Sequence, residues 1–337
     1  MPPSEAYVLP AAPRAGARRK RWILMAAKAA ASAALLYWVL RGTDLGEVGR
    51  ALGAANIPLL VLAFAMCFIG YFISVTRWSV LLSAQGVAVK RRTLVHSYLV
   101  AMFFNNFLPS TIGGDAYRAY DSWRWGSTKT GALAVVFVDR FLGLVALILF
   151  ALVASAVWQG VGDAAQLPTW MIALLAAGML GVVWAIFFTP RLDLGGRLER
   201  MGIPGARLVG GVAGRVKDAF RTFRGRRDAL GKAMLLSLAL QTNVVFYYYV
   251  MAQALGFDVS VAAFFLIIPL SIFVMLIPIS INGIGIRENA FAFFFALFGV
   301  ARAESVALAF VDYGLLLVQG AVGAIAYALR AGEGRSD

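Results

Sequence analysis

Between Ile57 and Leu82 the chain carries one charged residue, Arg77, in a run that is otherwise almost wholly apolar. About 20 such residues cross the ~30 Å hydrocarbon core of a bilayer as a helix. Within that core every backbone polar group has to bond inside the protein. Trp22–Leu40, Thr130–Trp158, Pro168–Phe188, Ala233–Leu255 and Ser305–Leu329 are further runs of this kind. The chain is 61% hydrophobic and only 14% charged, against about 45–50% and about 25% in soluble domains. The runs therefore predict an all-α integral membrane protein.

The net charge of +14 raises the possibility of a nucleic-acid partner. The cations gather beside apolar spans, in the RRKR segment that ends at Arg21, at Lys90–Arg92 and in a loop over 190–232. Cytoplasmic flanks and anionic headgroups account for that placement better than nucleic acid does. The single cysteine, Cys67, excludes an intramolecular disulfide and reads as inert packing within its span. His96 stands alone, with no Cys/His cluster to build a metal site, so no cofactor is expected. Residues 1–21 read as a disordered basic tail before an uncleaved first span, because Lys28 interrupts the apolar run and no cleavage site follows. Lys28 and Arg77 each lie near a span end, within snorkelling reach of the surface.

One polar pattern occurs twice. NNFLPSTIGGDAYRAY at 105–120 holds Pro109, Ile112, Gly114 and Arg118, and IPISINGIGIRE at 277–288 holds Pro278, Ile281, Gly283 and Arg287 at the same spacing. The offset is 169 residues (278 − 109). FVDRFLGLV at 137–145 and FVDYGLLLV at 310–318 echo it further on. Broken, Gly-rich, charged segments repeated in two halves of an apolar chain point to a transport site at the repeat interface.

Charge placement orients the spans. Lys/Arg-rich short loops stay cytoplasmic, and the loop over 190–232 holds eleven Lys/Arg against four acids. Thr93–Leu108 is too short to cross comfortably, and a full crossing would put that loop outside. A helix that enters from the cytoplasm, breaks at Pro109–Gly114 and returns keeps every basic segment inside. The second motif then enters from the outer face, although two short full spans there give the same net topology. The expected architecture is six full transmembrane helices plus two re-entrant helix pairs in an inverted-topology repeat. Repeat one covers about 57–158 and repeat two about 231–329, within a transmembrane domain over 22–329. A basic cytoplasmic connector fills 190–232, where Val212–Phe223 reads either as an interfacial amphipathic helix or as solvated linker, and 330–337 is a cytoplasmic tail.

A broken helix exposes backbone N–H groups and a positive dipole end. Ser110 or Thr111 is a candidate cap for the first half-helix, and Ser280 or Asn282 for the second. Gly113, Gly114, Gly283 and Gly285 admit close approach. With Arg118 and Arg287 one turn into each half-helix, the two tips make a candidate anion site. Asn105 and Asn106 read either as partners of the broken backbone or as headgroup contacts. Asp115 with Arg118, and Glu288 with Arg287, read alternatively as self-neutralising pairs. Asp139 and Arg140 read either as a structural couple or as a proton or gating element. Asp312 occupies the equivalent of Asp139 with Tyr313 in place of Arg140, which makes it a candidate partner for Arg118, Arg140 or Arg287. There is no nucleotide loop, nucleophile elbow or metal-ligand spacing, so no catalytic residue is assigned.

These three motifs resemble the flippase-like family that includes the transmembrane region of lysylphosphatidylglycerol synthases, over about 22–329. The resemblance implies a protein of the prokaryotic cell (inner) membrane that moves a lipid with a modified headgroup between leaflets. It carries function onto Asn105, Pro109, Gly113, Gly114, Asp115, Arg118, Asp139, Arg140, Gly283, Gly285, Arg287 and Glu288. The chain leaves no room for the aminoacyl-transfer domain of full synthases, so it is not expected to make lysyl-lipid. The expectation is therefore a lipid translocator, not an enzyme, whose cargo is a phospholipid or glycolipid with an anionic or modified headgroup. The alternative is a non-transporting membrane subunit that recruits a lipid-modifying glycosyltransferase.

Overall fold

The computed structural model describes residues 15–107, 112–160, 219, 221–223, 225–277 and 279–333. Among them lie ten helices and no strand: α1 (Ala15–Arg41), α2 (Leu45–Gly53), α3 (Ile57–Ala84), α4 (Arg91–Phe107), α5 (Ile112–Arg124), α6 (Lys129–Gly160), α7 (Arg227–Ala254), α8 (Val261–Met275), α9 (Ile286–Ala296) and α10 (Arg302–Glu333). Four of them, α3, α6, α7 and α10, are long and apolar enough to cross a membrane. α1 covers the first expected span and reaches back to Ala15, inside the stretch expected as a tail. The expected span at 168–188, most of the basic connector, the break at 108–111 and Pro278 lie outside the described residues.

The helices form one series given twice. α3 and α7 are both 28 residues long, and α6 and α10 both 32. Between them, α4 and α5 have 17 and 13 residues, and α8 and α9 have 15 and 11. The ends are set locally. Asn56 caps α3 by accepting the Leu59 N–H at 3.2 Å, with Pro58 in the first turn, where its missing N–H costs nothing.

α3 and α7 run in opposite directions. Three hydrogen bonds track the length of the α3–α7 pair: Asn56 N–H to the Ala254 carbonyl at 2.8 Å, Asn243 Nδ2 to the Met66 carbonyl at 3.1 Å, and Arg77 Nη1 to Ser237 Oγ at 2.8 Å. As the residue number rises on α3 it falls on α7, so the two are antiparallel throughout. The short helices fold as two antiparallel hairpins. In the first, Ser97 Oγ donates to Asp121 Oδ2 at 2.7 Å and Phe104 meets Tyr117 at 5.3 Å. In the second, Phe264 packs edge-on against Phe295 at 5.3 Å. Hairpin one opens toward the end of the bundle that carries Lys90, Arg91, Arg92, Arg124, Lys129 and Arg227, and hairpin two opens toward the opposite end. That opposite end mixes signs, with Arg41, Arg50 and Arg302 beside Asp44, Glu47, Asp258 and Glu304.

The last helix of each repeat packs on the hairpin of the other: α6 on α8, and α10 on α4. The two seams differ at one equivalent position. On α10, Gly323 lies so close to α4 that a Cβ there would stand 2.5 Å from the Leu99 carbonyl. On α6 the same place holds Phe150, stacked on Phe265 at 5.8 Å, and an apolar groove of about 460 Å³ opens between α6 and α8.

Candidate functional site

The two hairpin tips meet. Asn282 Nδ2 donates to the Asn106 carbonyl at 2.9 Å, and Asn106 Nδ2 donates to the Leu316 carbonyl of α10 at 2.9 Å. Asn105 Oδ1 accepts the Gly114 N–H at 3.0 Å and so closes hairpin one on itself. Gly114 is required there, because a Cβ would lie 2.2 Å from the Ala101 carbonyl. Gly113 is half-buried beside it, and Pro109, Ser110 and Thr111 lie outside the described residues. In the second tip the caps expected at Ser280 and Asn282 are not used. Gly285 caps α9 with a φ of 83°, and Glu288 Oε2 accepts its N–H at 2.8 Å. A Cβ on Gly285 would also strike Leu35 of α1 at 2.5 Å. Ser280 is half-buried in the turn, and the neighbouring Ile281 N–H donates to Ser32 Oγ of α1 at 2.8 Å. Asn282 and Gly283 both hold positive φ, at 50° and 78°.

Each motif arginine reaches the aspartate of its repeat's long helix. In centre one, Arg118 Nη1 donates to Asp139 Oδ2 at 3.1 Å and Arg77 Nε donates to Asp139 Oδ1 at 2.6 Å. Trp78 and Tyr98 cover the Arg118 guanidinium at 4.7 and 5.1 Å from their ring centres. Arg77 is only 6% exposed, and the expectation that it snorkels to the surface is corrected. It faces α6 and α7, where a carboxylate and the Ser237 hydroxyl compensate its desolvation. The Asp139–Arg140 couple also does not form: Arg140 Nε instead donates to Asp115 Oδ2 at 2.8 Å. Asp115 lies 3.7 Å from Arg118 as well, as the pairing alternative had it.

In centre two, Arg287 Nη1 stands 2.7 Å from Asp312 Oδ2, so of its three candidate partners Asp312 takes Arg287. Tyr247 donates to Asp312 Oδ1 at 2.7 Å and Tyr248 to Oδ2 at 3.0 Å. Tyr313 covers the Arg287 guanidinium at 4.3 Å. Glu288 is turned to the Gly285 N–H, and no ion pair with Arg287 is seen among the described residues. Arg287 is the second residue of α9, while Arg118 lies deeper in α5 than one turn.

A cavity of about 240 Å³, with polar side chains set in a largely apolar wall, lies at the seam of the two repeats. Tyr71 on α3, Tyr98 on α4, Asn243 on α7, Arg287 on α9 and Asp312 and Gln319 on α10 line it. Tyr71 donates to Gln319 Oε1, and Gln319 Nε2 donates to Cys67 Sγ at 2.9 Å. Cys67, expected as inert packing, thus accepts a hydrogen bond in that wall. Among the described residues no cluster of metal-ligating side chains occurs. Chemically, the arrangement offers a small chamber with one guanidinium–carboxylate pair, phenol hydroxyls and amides. It can hold a small group that offers oxygens to the guanidinium and amides and an apolar face to the tyrosine rings.

The family model for the lysylphosphatidylglycerol synthase transmembrane region matches residues 25–323. A UPF0104 membrane protein of Methanothermobacter thermautotrophicus is 26% identical over 291 residues, covering 79% of this chain and 83% of the relative. The glycosyltransferase AglD of Haloferax volcanii is 26% identical over 319 residues, covering 84% of this chain and 51% of the relative, so the match spans about half of that protein. With its apolar spans and a match that runs through both hairpins, the chain belongs to the family of the lysylphosphatidylglycerol synthase transmembrane region.

Proposed function

We propose that this protein moves a lipid with an anionic or modified headgroup between the leaflets of the prokaryotic cell (inner) membrane, breaking no covalent bond. The observation that carries the reading is the buried Arg287–Asp312 pair on the wall of the cavity at the seam of the two repeats, which both repeats line. The headgroup passes through this chamber and along the Gly-rich tips while the acyl tails stay in lipid. The hairpins are re-entrant, entered from opposite faces, and the repeat has inverted topology. Antiparallel α3 and α7, touching tips and hairpins that open toward opposite ends support this. The strongly basic end faces the cytoplasm with both termini. Rocking of one repeat against the other would expose the chamber to each leaflet in turn, with Asp139, Arg140 and Asp312 at the coupling or gating positions.

The test is headgroup-lipid scrambling in proteoliposomes, comparing the native chain with Arg118→Ala and Arg287→Ala, each confirmed folded. Anionic, aminoacylated and polyprenyl-phosphate-sugar lipids are the cargo set. Movement of one class that is lost in both variants is the expected result, and no movement of any class by folded native protein defeats the proposal. The second reading, a non-transporting subunit that recruits a lipid-modifying glycosyltransferase, is favoured by the relative named as one. Removing the Arg-rich connector discriminates the two: a recruiting subunit should fail, while a translocator should retain transport.

A further inference from the structure

Resting on the translocation reading, we infer that Arg287 takes a phosphoryl group in the seam cavity by exchange for Asp312, whose carboxylate stays behind on Tyr247 and Tyr248. The phosphoryl group is a lipid's phosphodiester or free phosphate; the chemistry at Arg287 is the same.

Four features of centre two carry this, and centre one lacks their combination. First, Arg287 lines the cavity while only 6% exposed, and its Nε has no hydrogen-bond partner among the described residues. Second, its contact with Asp312 is an ion pair at 2.7 Å in which Nη1 donates no aligned hydrogen bond. In centre one, by contrast, Arg77 and Arg118 both donate aligned bonds to Asp139. Third, Asp312 has two donors besides Arg287, at 2.7 and 3.0 Å. Removing a charged partner from a buried carboxylate is costly when nothing else satisfies it. Two phenol hydroxyls keep Asp312 satisfied when Arg287 turns to another anion, and one anion replaces another beside the guanidinium. Asp139, by contrast, is held among the described residues by two arginines and by no neutral donor. Fourth, Tyr313 lies against the guanidinium face, which leaves the edge of the planar fork for a tetrahedral oxyanion. Gln319 supplies a neighbouring donor that is weakly engaged, because its Nε2 donates to the Cys67 sulfur, a poor acceptor. The other acid beside Arg287, Glu288, turns Oε2 to the Gly285 N–H and forms no ion pair with Arg287 among the described residues.

The experiment is a binding comparison on the full chain in lipid-free detergent micelles. The probes are phosphatidylglycerol, diacylglycerol with the same chains, and inorganic phosphate, with thermal unfolding as the folding control. Native protein is expected to retain phosphatidylglycerol over diacylglycerol at least tenfold. Arg287→Ala should lose that preference. Arg287→Lys, which keeps the charge without the fork, should weaken it by about tenfold, and Tyr247→Phe combined with Tyr248→Phe should do the same by binding Asp312 to Arg287. Competition by inorganic phosphate assigns the site to the free anion as well, and its absence assigns the site to the lipid's phosphodiester; both outcomes support the exchange. Equal retention of the two lipids by native protein overturns it, as does full preference in folded Arg287→Lys and in the tyrosine double variant. Scrambling by the same preparations separates the two proposals. Scrambling without phosphate preference defeats the exchange alone, and phosphate preference without scrambling of any lipid defeats translocation alone.

Discussion

The two repeats build the same contact, motif arginine to long-helix aspartate, and surround it differently. In repeat one a second arginine, Arg77 on α3, completes a closed knot of hydrogen bonds about Asp139. At the same place along the 28 residues of α7 stands Tyr247, and centre two opens on a cavity. The seams show the same division of labour on the other diagonal. α10 sits hard against α4 at Gly323, while α6 is held off α8 by Phe150. The two centres share one ion pair, and the side chain beside it, Arg77 in one and Tyr247 in the other, separates a closed tie from a centre that opens on a cavity.

The largest expected effect tests that contrast directly. Asp139→Asn strands two buried arginines and should cost about 3–5 kcal/mol of stability in denaturant unfolding. Asp312→Asn strands one arginine that already faces a cavity, and it should cost clearly less. Equal losses would break the comparison.

The motif-equivalent glycines give a smaller effect. Gly114→Ala drives a Cβ to 2.2 Å of the Ala101 backbone carbonyl and should cost about 3 kcal/mol or open hairpin one. Gly283→Ala meets nothing nearer than 3.9 Å and carries only the strain of its positive φ, about 1 kcal/mol. A Gly283 variant as damaging as the Gly114 variant would mean that the two tips are closed by the same packing. Gly323→Ala, against the Leu99 carbonyl, should cost about 1–3 kcal/mol, while Phe150→Leu, which trims a side chain already facing the groove, should cost less than about 1.5 kcal/mol. The smallest effect is Asn282→Ala. It removes the bond between the tips and should cost about 0.5–1.5 kcal/mol, with local hydrogen exchange near Asn106 rising before global stability falls.

Much of this was written in the chain. Paired spacing at Arg118 and Arg287, and again at Asp139 and Asp312, located both centres, and the Gly-Pro breaks marked both hairpins. Composition set the all-helical membrane class. Which charges meet was less legible. Asp139 and Arg140 are neighbours in sequence, yet they leave their helix in different directions, one inward and one toward Asp115. Arg77 was misplaced because a span-end arginine is usually able to reach the surface, and burial is decided by which face of α3 meets α6 and α7. The motif offset of 169 residues pairs Arg77 with the apolar Phe246, and only the helix bounds, which align Ile57 with Arg227, bring it level with Tyr247. Cys67 and Gln319 were opaque for a simpler reason. An isolated thiol and amide in apolar runs have no periodic partner, and only folding brings α3 and α10 together.

The buried Arg77 has a consequence for synthesis. Ribosomes deliver α3 to the membrane 62 residues before Asp139 exists and 160 before Ser237. During that interval a guanidinium destined for the protein interior has no Asp139 carboxylate to meet, and near the end of its span it is left to snorkel toward the surface. α3 therefore has to be held by its long apolar run, or stay at the insertion machinery, until α6 arrives. The order of assembly is thereby built into the chain: the tie in repeat one closes first, and the chamber in repeat two is added to a half already locked.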